Sequence, residues 1–193
     1  MTLLPRTQLI ATLAAGLALT TGLARGQDVN AGDEKAMKAA AAKVAPSVVR
    51  IDTIGGTETV GGGKGPEILR GTGGTTGVIV SADGFVITSS FNFANKPSDV
   101  FVGVPGRKDR FRAQVIATDH TRMLTLLKID AKDLPVPTVC PKKDIVVGQW
   151  ALALGRTLDP DLEHPPSFSA GIVSATGRIW GKAIQTDAKV SPT

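Results

Sequence analysis

Between Ser47 and Asp130 the chain reads as six short alternations of apolar and polar residues separated by turns, and this rhythm limits the possible folds more than any other feature. The six are SVVRID, TGVIVS, GFVITSS, DVFVGV, RFRAQVIAT and MLTLLKID. A period of two is the pattern of a strand that buries one face. Asp83-Gly84 and the stretch PGRKD stand between strands as turn sequences. Short strands joined this tightly predict a small closed antiparallel barrel, assigned to residues 45–133. Leu134, Pro135, Val136 and Pro137 form a stiff connector, after which the rhythm starts again over 134–193 with DIVVG, WALALG, a proline-rich loop from Arg156 to Ser167, SAGIVSATG and KAIQTDA.

Composition agrees with an all-β chain. Hydrophobic residues at 42% and charged residues at 20% exclude a disordered polymer, while 22 glycines, 12 prolines and no tyrosine suit many turns. Residues 31–43, AGDEKAMKAAAAK, are helix formers and predict a short N-terminal helix within the segment 25–44, with Asp33 and Glu34 near its start. Ala45 and Pro46 end it. Residues 1–24 carry Arg6, an apolar run from Leu9 to about Leu23 and then small residues, the layout of a secretory signal peptide cut after Ala24 or Gly26. The alternative, a retained membrane anchor, is disfavoured by Thr12, Gly16, Thr20 and Thr21 within the run. The protein is therefore expected to be exported, periplasmic or extracellular.

Several specific chemistries are disfavoured. Nine glycines between Gly55 and Gly74 invite a phosphate-binding reading, but Gly63-Lys64 is followed by Gly65 where Ser or Thr is needed, so a surface loop is expected. Cys140, the lone cysteine, is expected to be a small buried hydrophobe. His120 and His164 read as solvated loop residues, and no clustered ligand spacing supports a metal or other cofactor. Removing residues 1–24 takes away Arg6 and no acid, so the net charge falls from +5 to +4. The basic residues are scattered along the chain, which argues against nucleic acid as a partner.

One stretch resists the simple strand reading. GFVITSSFNFANK, residues 84–96, turns polar at Thr88, Ser89 and Ser90 and then inserts Phe91 and Phe93, so half of the six phenylalanines fall between residues 85 and 93. Aromatics at a strand end need a reason.

Taken in order, GVIVSADGFVITSS, DHTRMLTLLKI, VGQWALALG, SAGIVSATGR and IQTDA resemble the core of the HtrA-type trypsin-like serine peptidases, over about Ala45 to Ala188. The resemblance implies two six-stranded β-barrels with the active site between them, and action outside the cytoplasm on misfolded proteins. Such an enzyme uses a serine nucleophile, a histidine base, an orienting aspartate and backbone donors for the oxyanion. In the family the strand matching Gly84 to Ser90 leads into the histidine, as in T-N-N-H-V-V; the same register here reads Thr88, Ser89, Ser90, Phe91, Asn92, Phe93. Phe91 thus occupies the histidine position, and a phenyl ring cannot accept a proton. The family's aspartate segment, D-x-x-x-D, corresponds to Asp119 through Met123, with Met123 at the catalytic acid. The serine position, eight residues after Asp187, falls beyond Thr193, so only the first part of the second barrel is expected here.

The resemblance, so altered, implies a pseudo-peptidase without an intact triad, in which Phe91 and Met123 fill the cleft as an apolar pair. It would bind unfolded or extended polypeptide. Two alternatives stand beside it: a fragment of a serine endopeptidase whose nucleophile lies beyond residue 193, and an interaction protein that captures an extended peptide at a strand edge.

Overall fold

The computed structural model describes residues 29–56, 58–60, 68–70, 74–156 and 161–190. The expected signal peptide and its cleavage point lie outside the described residues.

Helix α1 runs from Val29 to Val44, so it begins before the predicted span and Asp33 and Glu34 fall beyond its first turn. A 3-10 turn, Ala45–Ser47, closes it: Pro46 offers no N–H to continue the ladder, and the buried Ser47 hydroxyl donates to the Val44 carbonyl at 2.8 Å.

Among the described residues, eleven strands follow. β1 is Val48–Ile54, β2 Glu58–Val60, β3 Ile68–Arg70, β4 Gly74–Ile79, β5 Phe85–Ser89, β6 Asp99–Gly103, β7 Arg110–Asp119 and β8 Leu124–Ile129. β9 is Trp150–Gly155, β10 Ser167–Gly177 and β11 Ala183–Thr186. Six of them close into one antiparallel barrel in the order β1-β4-β5-β8-β7-β6, which bears out the expected closed barrel. Alternation explains its core: Val49, Ile51, Ile79, Val86, Val102, Leu127 and Ile129 all point inward and are essentially inaccessible to water. Gly77 of β4 faces the same interior, where a Cβ would lie 2.6 Å from Ile51 Cδ1 and 2.9 Å from Val86 Cγ1. The β4–β5 hairpin turns through Ser81–Gly84, with Val80 N–H donating to Phe85 O at 2.9 Å and Gly84 N–H to Ser81 O at 3.2 Å. Gly84 has a φ of 106°, and any side chain there would meet the Ile129 carbonyl.

A separate three-stranded sheet has the order β11-β10-β9, the partial second unit that was expected. Val173 is its buried centre, while Trp150, Phe168 and Ile172 remain exposed. Arg156, just after β9, ties this sheet to the barrel. It is 6% exposed; its Nε–H donates to Val48 O at 2.8 Å and its Nη1–H to His164 O at 2.7 Å. Its backbone N–H donates to Thr76 Oγ1 of β4 at 2.9 Å. Leu162 adds an apolar contact over Gly103 of β6.

Three expectations need correction. DIVVG is no strand: Lys142–Asp144 form a 3-10 turn, Val146 N–H donates to the Gln149 side chain, and Gly148, with a φ of 89°, turns the chain into β9. Cys140 is exposed, because the connector runs extended over the surface, where its thiol meets the Pro141 carbonyl. Part of the glycine-rich segment is ordered as a ribbon, β2 against β3; the rest of that expected surface loop lies outside the described residues.

Candidate functional site

The end of β5 and the turn between β7 and β8 meet at one end of the barrel. Ser89 pairs with Leu124, and one step on Ser90 N–H donates to the Met123 carbonyl at 2.9 Å. Phe91 and Met123, far apart in sequence, are thereby brought to one place. The chain then makes a single 3-10 turn, Phe91–Phe93, in which Phe91 N–H donates to Ser89 Oγ at 3.2 Å and Phe93 N–H to Ser90 O at 3.0 Å.

This turn gives the two aromatics different tasks. Phe93 is 8% exposed and joins the barrel core, so it anchors the turn. Phe91 is 44% exposed and faces an open groove. Met123 is 55% exposed and lines the same groove. The expected apolar pair therefore borders the cleft and does not fill it. Burial of both would need a further covering group, and both side chains keep a large accessible face.

The far wall comes from the β7–β8 turn. Asp119 Oδ1 accepts hydrogen bonds from the N–H groups of Thr121 and Arg122, each at 2.9 Å, and Oδ2 pairs with the Arg122 guanidinium at 2.6 Å. The hydrogen bond from the Arg122 side chain, and after it those from the backbone, hold the Asp119 carboxyl below the ordinary carboxylate range. Its carboxylate is committed to shaping the turn and is not available to orient His120, the next residue. His120 is exposed, as expected, and borders the groove. His164 is exposed as well, 3.7 Å from Asp161.

Residues that sequence reasoning did not single out complete the groove: Lys96, Pro97, Val115 and Thr118. Val115 stands at a β-bulge, where β7 slips by one residue against β8 between Val115 and Ala117. Bulges of this kind re-aim side chains beside functional sites. Lys96 and Met123 both hold left-handed backbone, with φ of 51° and 55°. Non-glycine residues there carry strain, and such strain gathers at sites where it is used. Chemically, the groove offers aromatic, thioether and aliphatic surface with one ammonium. Neither Phe91 nor Met123 can move a proton. Among the described residues no cluster of three or more His, Cys, Asp or Glu is placed to hold a metal ion, and no helix is long and apolar enough to cross a membrane.

Comparison with known proteins gives this arrangement a family. A family model described as a trypsin-like peptidase domain matches residues 75–193. A "Probable periplasmic serine endoprotease DegP-like" of Hahella chejuensis is 34% identical over 134 residues, 67% of this chain and 27% of that protein. A protein of the same name from Pseudomonas fluorescens is 36% identical over 122 residues, 61% of this chain and 24% of that protein. The chain thus spans about a quarter of the length of these curated relatives. Their names place them in the periplasm, in agreement with the export expected of this chain. Among solved structures, that of Deg5 is similar in fold with a TM-score of 0.65 at 22% identity, covering 82% of this chain and 76% of that one. The HtrA-type protease AlgW, solved with a decapeptide, gives a TM-score of 0.58 at 27% identity, covering 79% of this chain and 51% of that one. A closed six-stranded barrel, a second sheet tied to it and a family match over more than half of its length together make this chain a member of the trypsin-like peptidase family, of the HtrA/DegP type.

Proposed function

We propose that this protein is an exported HtrA-type pseudo-peptidase that binds unfolded or extended polypeptide in the groove between Phe91 and Met123. The observation that carries the reading is the convergence of these two side chains at the barrel end, where the family resemblance assigns the histidine and the aspartate. A base and its orienting acid are replaced by a ring and a thioether, so neither side chain at those two positions can activate a hydroxyl nucleophile. The replacements do not close the groove; they leave apolar faces open to solvent, as a site for apolar side chains requires.

The test uses the purified full chain with a labelled, unfolded casein-like polypeptide. The expected result is saturable binding without cleavage, weakened about tenfold or more by Phe91→Ala, since truncating a buried aromatic anchor costs on the order of 2 kcal/mol or more. Hydrolysis that a serine-directed inhibitor abolishes would refute the proposal. So would the absence of saturable binding.

A further inference from the structure

The groove carries a charge as well as an apolar surface. Of the residues that line it, Lys96 alone is formally charged at neutral pH, and no Asp or Glu is among them. Lys96 is exposed, sits at the rim on a left-handed backbone, and is placed by its own N–H, which donates to Phe93 O at 3.1 Å. Asp119, in the β7–β8 turn, does not line the groove and is paired with Arg122, and Asp99, three residues after Lys96, is paired with Arg112. A ligand that lays an apolar side chain against Phe91 and Met123 therefore meets a cation and no anion, so an acidic group beside that side chain is attracted and a basic one repelled.

We propose that the groove selects peptide segments in which an aromatic or aliphatic residue stands next to an Asp or Glu, with Lys96 pairing the carboxylate. This rests on the peptide-binding reading and adds to it the class of peptide. Lys96 acts as a specificity residue and takes part in no covalent step.

The experiment is a fluorescence-anisotropy titration of the full chain with three labelled extended peptides that differ at one position beside a Phe: Glu, Gln or Lys. The Glu peptide is expected to bind about three- to fivefold tighter than the Gln peptide, the scale of an exposed ion pair, and the Lys peptide weaker than both. Raising the salt to about 0.5 M should shrink the difference, because such a pair is screened. Lys96→Asn, which keeps a residue tolerant of left-handed backbone, should make the Glu and Gln peptides equal while both still bind. Thermal melts of each variant report whether it is folded. Equal affinity of the three peptides for the unmodified protein overturns the inference and leaves the peptide-binding reading standing. Selectivity that survives Lys96→Asn overturns it as well, whereas failure of all three peptides to bind removes both readings.

Discussion

Met123 holds a side chain that its backbone does not favour. A left-handed conformation costs an ordinary L-residue about 1–2 kcal/mol, less for Asn and nothing for Gly. Met123→Gly should therefore raise the urea midpoint, by a gain of about 1 kcal/mol, provided the loop hydrogen bond from Ser90 persists. A lowered midpoint would mean that packing of the Met side chain outweighs the strain. Thr125 poses a second residue-scale conflict: it is fully buried on the inward face of β8, and its hydroxyl has no hydrogen-bond partner among the described residues. Thr125→Val keeps the shape and removes the orphan hydroxyl, so a stabilisation of about 1 kcal/mol is expected in chemical denaturation. Asp119 supplies the pH dependence. Its folded carboxyl titrates below the unfolded value of about 3.9, so its contribution is present above that pH and is lost as pH falls through the lower, folded value. Between pH 5 and pH 3 the Asp119→Asn variant should show a flatter loss of melting temperature than the unmodified protein.

At the scale of elements, the six barrel strands were legible and their irregularities were not. WALALG matches β9 residue for residue, because Trp150 to Gly155 has turn sequence on both sides. The bulge in β7 left no mark in RFRAQVIAT, since Val115 and Ile116 are both apolar and the slip exists only in the pairing with β8. Hence the groove's Val115 and Thr118 could not be named from the sequence, and Lys96 looked like any loop lysine. DIVVG misled for the opposite reason: its apolar run fits a strand, but a side-chain hydrogen bond and the φ of Gly148 decide otherwise. Phe91 and Met123 were legible only through the family register, because nothing in their local sequence says that Ser90 and Met123 share a hydrogen bond. The sheet β11-β10-β9 yields its own prediction. A Cβ on Gly171 would run into the backbone of Ala188, where Asp187 Oδ1 accepts the Ile172 N–H at 2.6 Å. Gly171→Ala should destabilise by about 1–3 kcal/mol and expose the amide of Ile172 to faster hydrogen exchange. Unchanged exchange there would show that the chain around Asp187 shifts without releasing β10.

For the molecule as a whole, Arg156 is the side chain on which barrel and sheet depend together. Its removal takes from the buried Val48 carbonyl the hydrogen bond of the guanidinium and unties the loop that carries Leu162 to Gly103. Each hydrogen bond lost from a buried group costs about 1–3 kcal/mol. Arg156→Met should therefore lower stability by about 2–4 kcal/mol and split a single unfolding transition into two, the sheet melting before the barrel. One cooperative transition in that variant would place the coupling elsewhere. The left-handed backbone at Met123 also bears on which residues fit the site. Asp and Asn occupy that conformation more readily than Met, so this loop has a shape suited to an acid where the family register puts one. An acid placed at position 123 would find a backbone already bent to receive it.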